Sequence, residues 1–282
     1  MIDSRERTSN NIYDLAADSY PLDFDTNYTQ FLKYVLVNRF ARPTDVCLDI
    51  GIGNGIFAIP VARSVREVHG VDINAKMLTQ CLHNLERASV HNVHLHERSA
   101  TDLLFPDAFF DLVFSYSTLL MVPEPARAYR EIFRVLRLGG SAVLDITGKF
   151  NLSRIHWTKY YQRHGHFGIN AYALREIRAA FIGLGFEILE VYATGLLDQW
   201  KYIPGLARLG FLETVVHNTR GVPDRDYRAS QRVPGLANRW YFVLRKPEVP
   251  RPAGAVGERV FPRTAAMGAI RKPQGERRGA GD

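Results

Sequence analysis

Val46 to Gly55 read VCLDIGIGNG, and the fold turns on this stretch. A short apolar strand pattern reaches the acid Asp49, and glycines follow at positions 51, 53 and 55. Without a Cβ, glycine takes positive φ at little cost and lets a ligand come to contact distance with the backbone. Gly51, Gly53 and Gly55 therefore predict a tight loop between a strand and a helix. Phe57, Ala58, Ile59, Val61 and Ala62 supply the apolar helical run, and Glu67 to Val71 reads as a second strand ending at Asp72. That acid falls about 20 residues beyond the glycines, where a strand-terminal carboxylate can accept both hydroxyls of a ribose.

Outward from this unit the strand and helix patterns alternate. Further strands are expected at Val93 to His96, Asp111 to Ser115, Ser141 to Ile146, Phe186 to Tyr192 and Arg239 to Arg245. Helical periodicity occupies residues 26 to 40, with Leu32, Val35, Leu36 and Phe40 on one face, then Ala75 to Ala88, Pro125 to Leu136 and Leu174 to Leu184. Such alternation predicts a doubly wound, mostly parallel α/β sheet, whose ligands bind outside the carboxyl ends of the strands. That rule selects the glycine loop, Asp72, Ser99 with Ala100, Ser115 to Ser117, and Thr147 onward. Two ligand classes fit the loop. Gly53, Gly55 and Ala58 also satisfy the G-x-G-x-x-A spacing of dinucleotide-binding oxidoreductases. Asp49, two residues before the first glycine, would repel a pyrophosphate but could pair with the ammonium of a methionine moiety, which favours S-adenosylmethionine.

Four blocks, in order, carry a resemblance: VCLDIGIGNG, VHGVDINAKML (Val68 to Leu78), RSATDLLFPDAFFDLVFS (Arg98 to Ser115) and REIFRVLRLGGSAVLDI (Arg130 to Ile146). Over roughly residues 45 to 147 the chain resembles the class I S-adenosylmethionine-dependent methyltransferases, in particular the small-molecule, ubiquinone-methyltransferase-like group. The resemblance implies a seven-stranded, Rossmann-like sheet closed by a final antiparallel strand at Asn238 to Lys246. It implies that Asp72 holds the ribose, that Asp49 orients the methionine end, and that Ile73 and Met77 lie beside the cofactor. Ser99 and Ala100 would border the adenine, Ser115 would end the fourth strand at the site, and Tyr20 (or Tyr13) would close over the cofactor from the amino-terminal arm. Two positions depart from the family pattern. Ser99 stands where an acid usually accepts from the adenine amino group, and Leu138 replaces the proline before the paired glycines.

Domain organisation is read as an amino-terminal helical arm (residues 1–44), a methyltransferase domain (45–246) with acceptor-site insertions at 149–170 and 196–235, and a basic tail (247–282). The tail holds seven basic and four acidic residues, five prolines and six glycines, a composition that predicts disorder. It carries +3 of the formal +7, so the charge gives no strong argument for nucleic acid. The chain also lacks the Asn/Asp-Pro-Pro-aromatic loop and the Pro-Cys dipeptide of base methyltransferases, and nucleic acid is not the expected partner. Two cysteines, Cys47 and Cys81, and no signal-peptide pattern lead to the expectation of a cytoplasmic protein without structural disulfides.

Candidate bases lie in HWTKYYQRHGH, where His156 and His166 are the leading pair in a segment, Lys149 to Asn170, expected to roof the acceptor pocket. His91, His94 and His96 could suggest a metal, but no carboxylate or cysteine completes a usual ligand set in the sequence, and no metal is expected. Leu196 to Leu212 mixes aromatic and aliphatic residues with Lys201 and Arg208. Pro204 and Gly205 interrupt it, which favours a pocket lid over an interfacial helix, though peripheral membrane contact stays open. The expected acceptor is a small apolar or aromatic metabolite. An RNA or protein methyltransferase using the tail, and a non-catalytic S-adenosylmethionine-binding protein, remain as alternatives.

Overall fold

The computed structural model describes residues 28–166, 168–203, 205–209, 211–216 and 223–249. Helix α1 (Tyr28–Phe40) leads into β1 (Val46–Ile50), α2 (Ala58–Ala62), β2 (Glu67–Asp72), α3 (Ala75–Arg87), β3 (Val93–Glu97) and β4 (Phe110–Ser115). After α4 (Pro125–Val135) come β5 (Leu136–Thr147), α5 (Leu152–Arg163), α6 (Leu174–Gly183), β6 (Glu187–Thr194), α7 (Phe211–Val216), α8 (Arg225–Arg232) and β7 (Arg239–Arg245). The sheet order is β3-β2-β1-β4-β5-β7-β6. Strands β1 to β5 pair in parallel and β7 runs antiparallel between β5 and β6. This is the doubly wound, mostly parallel sheet that the sequence pattern predicts, with the antiparallel strand that the resemblance implies at Asn238 to Lys246.

Side chains alternate across the sheet, so each central strand serves two cores. On β7, Trp240, Phe242 and Leu244 face the layer formed by α4 and α6, while Tyr241 and Val243 join the layer formed by α1, α2 and α3. On β1 the same parity sends Val46, Leu48 and Ile50 to the first core and Cys47 to the second. Asp49 follows the parity of Cys47, which is why a carboxylate ends up only 4% exposed at the strand's end. Cys47 and Cys81 are both buried free thiols, and burial pushes Cys81 up to about 12.

Strand β5 differs from the expected Ser141 start. It begins at Leu136, and its pairing with β4 shifts between Phe110 and Leu112. The paired glycines therefore lie inside an irregular strand: Gly139 N–H donates to the Lys246 carbonyl and Lys246 N–H to the Gly140 carbonyl, extending the ladder with β7. Leu138 is exposed there, consistent with a position where no proline is needed. Segment 149–170 forms α5, and residues 196–235 include α7, α8 and short 3₁₀ turns at Leu197–Tyr202 and Leu206–Arg208. Tyr13, Tyr20 and the tail from residue 250 lie outside the described residues.

Candidate functional site

A cavity opens at the carboxyl ends of β1, β2 and β4, lined by Asp49, Gly51, Gly53, Asp72, Ile73, Met77 and Ala100, all of them expected from the sequence. Its loop is tied down by backbone bonds, since Gly51 and Ile52 N–H both donate to the Val71 carbonyl at the end of β2 (2.7 and 3.1 Å). Gly51 has φ +76°, and a Cβ there would come within 1.9 Å of Thr118 Oγ1 from the loop after β4. Gly53 has φ +54°, and a Cβ would meet nothing within 4 Å. One glycine thus permits the two loops to close together, and the other leaves room on the cavity side.

Asp72 is held by the loop it faces. Its Oδ2 accepts from Gly53 N–H at 2.9 Å and its Oδ1 from Asn74 N–H at 3.0 Å. Ile73 N–H is a third backbone donor to the carboxylate, so the turn holds it firmly at the end of β2. Burial raises the carboxyl's pKa, and the backbone donors of Asn74, Gly53 and Ile73 oppose that shift. Asn74 also caps α3, its Oδ1 accepting from Met77 N–H at 2.8 Å, so cap and ribose acid are consecutive parts of one turn.

Asp49 is different. Among the described residues no donor reaches its carboxylate, and burial, with repulsion from Asp72 second, pushes its pKa well above the usual range. A buried acid without a donor calls for a cation from the ligand. The sequence did not reveal its counterpart, Lys33 on α1. Lys33 lines the same cavity, is 6% exposed, and its Nζ lies 5.7 Å and 5.6 Å from the centroids of the Phe57 and Tyr116 rings. Burial lowers its pKa to about 8 against a smaller opposing pull from Asp145. No ion pair or hydrogen bond to its ammonium occurs among the described residues. Tyr116 Oη donates to the Lys33 carbonyl at 2.8 Å, fixing the helix against the end of β4.

Several expected residues stand behind the wall. Ser115 is fully buried, donating to the Ile50 carbonyl at 2.8 Å, so it stitches β4 to β1 while Tyr116, Ser117 and Thr118 line the cavity. Ser99 accepts from Thr101 N–H at 3.0 Å and is not in the lining, whereas its neighbour Ala100 is. Gly55 likewise lies outside the lining; a Cβ there would come 2.9 Å from Cys81 Sγ. Ser117 N–H donates to Asp145 Oδ1 at 2.9 Å, and Arg239 pairs with Asp145 Oδ2 at 3.0 Å.

Neither His156 nor His166 lines the cavity. His166 is buried, with Nε2 3.2 Å from the Met121 carbonyl and Nδ1 against the Gly168 backbone, and burial lowers its pKa. Asn170 Nδ2 donates to the carbonyls of Leu119 and Val122. Among the described residues, segment 149–170 contributes none to the lining; it braces the turn whose Met121 and Val122 form one wall. His156 is exposed on α5, its ring beside Trp157 and Tyr202. His94 and His96 face a third histidine the sequence did not single out, His69, whose Nδ1 lies 3.1 Å from His96 Nε2, while His91 is not part of that contact. Among the described residues no group of His, Cys, Asp or Glu is arranged to hold a metal ion.

Comparison with known proteins agrees with this geometry. Residues 48–144 match the methyltransferase domain family. Phosphoethanolamine N-methyltransferase 2 of Caenorhabditis elegans is 30% identical over 141 residues, 47% of this chain and 32% of that protein. Phosphatidylethanolamine N-methyltransferase of Cereibacter sphaeroides is 34% identical over 34% of this chain and 48% of its own. The chain therefore spans a third to a half of the length of these two relatives. Demethylmenaquinone methyltransferase of Listeria monocytogenes is 26% identical over 74% of this chain and 86% of its own. Among solved structures, the [4+2]-cyclase SpnF superposes with a TM-score of 0.62 at 20% identity, covering 87% of this chain and 97% of that one. The class that fold and loop define is the class I S-adenosylmethionine-dependent methyltransferase. Over residues 48–144 this chain matches that domain, and a solved structure of the same fold at 20% identity, phosphoethanolamine N-methyltransferase 2 of Haemonchus contortus, is a complex with S-adenosyl-L-methionine.

Proposed function

We propose that this protein transfers a methyl group from S-adenosylmethionine to a small-molecule acceptor with an apolar or aromatic body. The observation that carries the cofactor half is a buried acid and a buried amine, Asp49 and Lys33, both without a hydrogen-bonding or ionic partner among the described residues, on a cavity that Asp72 also lines. A neutral ligand would leave both groups without a partner; a zwitterionic amino-acid end answers both. In this reading Asp72 takes the ribose hydroxyls, Asp49 the ammonium and Lys33 the carboxylate, while Ile73, Met77 and Ala100 pack against the adenosine. When bound, S-adenosylmethionine supplies an electrophilic methyl on a sulfonium sulfur. The chain's own residues orient and exclude water: Ile52, Phe57, Tyr116, Met121 and Val122 make the wall mostly apolar. For an in-line displacement, orientation of this kind can supply about 7 to 11 kcal/mol.

The relatives are named for methylating phosphoethanolamine and demethylmenaquinone, a phosphate ester and a quinone, which supports a small acceptor without choosing among them. The preference for an apolar or aromatic body rests on the apolar and aromatic wall of the cavity, Ile52, Phe57, Tyr116, Met121 and Val122. Isothermal titration with S-adenosylmethionine, S-adenosylhomocysteine and NAD, followed by methyl transfer from radiolabelled cofactor across phenolic, quinol and amine acceptors, tests the reading. Binding of NAD but not of the sulfonium cofactor would sink it. Tight cofactor binding without turnover on any acceptor would instead favour the non-catalytic binding protein.

A further inference from the structure

Helix α5 presents its apolar residues outward. Of the twelve residues Leu152–Arg163, only Ser153 is buried. Arg154, Thr158 and Tyr161 take the half-buried positions. Leu152, Ile155 and Tyr160, exposed by 40, 45 and 37%, share the outer side with Lys159 and Arg163. A helix that merely covered a pocket would turn this stripe inward.

The adjoining segments continue the surface. Trp157 Nε1 donates to Tyr202 Oη at 3.1 Å, and Leu152 N–H donates to Gln199 Oε1, whose amide in turn reaches the Leu236 carbonyl. These bonds join α5, the 3₁₀ turn Leu197–Tyr202 and the stretch before β7 into one cap. Leu206, Leu209 and Phe211 are exposed by 37, 39 and 62% on its next segments. Charge accompanies this apolar surface. Residues 149–163 hold four basic side chains and no acidic one. Lys149 has a long contact to Glu176 (3.9 Å), and Lys201 is paired with Asp198. Among the described residues Lys159, Arg163 and Arg208 have no anionic partner.

We propose that this cap docks on an anionic lipid surface, with Leu152, Ile155, Tyr160 and Phe211 entering the headgroup region and Lys159, Arg163 and Arg208 meeting lipid phosphates. Exposed aliphatic side chains beside Trp, Tyr and unpaired cations are what the headgroup boundary accommodates, because long basic chains reach phosphate while their stems stay with the apolar layer. A protein partner would need matching acids; a leaflet rich in anionic lipid supplies them without a specific fold, and each cation near such a surface strengthens binding about fivefold. No described helix is long and apolar enough to cross a membrane, so the contact is superficial. The inference does not depend on methyl transfer.

The test is co-sedimentation of the full chain with vesicles of phosphatidylcholine alone and of phosphatidylcholine mixed with phosphatidylglycerol, at low and high salt. Binding to the phosphatidylglycerol vesicles should exceed that to phosphatidylcholine by at least about tenfold and fall with salt. Ile155→Asp, and Lys159→Glu combined with Arg163→Glu, should each reduce it at least about tenfold while the melting temperature and S-adenosylmethionine affinity stay unchanged. Absence of binding to phosphatidylglycerol vesicles, or equal binding by both variants, overturns the proposal. So does a dimer in solution that Ile155→Asp splits, because the face would then belong to a second copy. Cofactor affinity measured on the same samples keeps failure of this surface distinct from failure of the proposed activity.

Discussion

Replacing Asp72 with Ala removes the acceptor of the Gly53, Ile73 and Asn74 backbone donors as well as the proposed ribose contact, so the loss should appear in cofactor binding. Hydrogen bonds to a charged group are worth about 1.5 to 3 kcal/mol, which corresponds to roughly 10- to 150-fold in Kd by calorimetry. Lys33→Met should behave with opposite signs in two measurements. The ligand-free protein should melt higher, by on the order of 1 kcal/mol or more, because a buried unpaired ammonium is replaced by an apolar chain of similar length. S-adenosylmethionine affinity should fall, whereas the decarboxylated cofactor should bind both proteins alike. Asp49 sets the pH dependence. Its pKa is raised in the free protein, yet pairing with an ammonium requires the ionised form, so cofactor affinity should decline as pH is lowered through that raised range. Asp49→Asn should bind weakly and lose this slope; a slope that survives in the variant would assign it to another group.

At the scale of elements, the loop after β1 gives a contrast between neighbouring glycines. Gly51→Ala drives a methyl into Thr118 and should destabilise the fold, whereas Gly53→Ala meets no atom and carries only the left-handed backbone penalty of about 1 kcal/mol. Thermal melts should separate the two, and Gly53→Ala should still weaken cofactor binding because its methyl enters the cavity side. A second prediction belongs to the β2–β3 edge. His69, between His94 and His96, has its pKa lowered to about 4, chiefly by burial and then by its histidine neighbours. Its folded-state value is below the ordinary 6.5, so the unfolded chain binds more protons in the interval, and stability is full above about 6.5 and is lost as pH falls toward 4. Denaturant titration at pH 7 and pH 5 should show a difference on the order of 2 kcal/mol, much reduced in His69→Gln. An unchanged midpoint would show that the imidazole pair does not resist protonation.

For the molecule as a whole, cofactor binding should be visible as stability. A ligand at about 100 times its Kd adds about 2.7 kcal/mol, equivalent to a melting-temperature rise of roughly 5 to 10 °C for a chain of this size. S-adenosylmethionine should produce that rise and NAD should not, a comparison that needs no knowledge of the acceptor. The sheet was legible because each strand's pattern is local: β1 and β7 occupy the residues read from the sequence, and the edges of the other strands shift by a few positions, most at β5 where an irregular stretch precedes Ser141. The loop residues were legible too, because the spacing of Gly51, Gly53 and Asp72 is dictated by chain geometry between adjacent parallel strands.

What the sequence determined by itself is the alternation of strands and helices and the acid-flanked glycine turn, since both depend on side-chain period and on backbone conformation within a few residues. Only the tertiary structure decided that Lys33 faces Asp49's cavity, that Ser115 and His166 turn away from it, and that α5 carries Leu152 and Ile155 outward. Those outcomes depend on which neighbouring element excludes water from each side chain, and that is settled by packing between segments far apart in the chain, not by any local spacing.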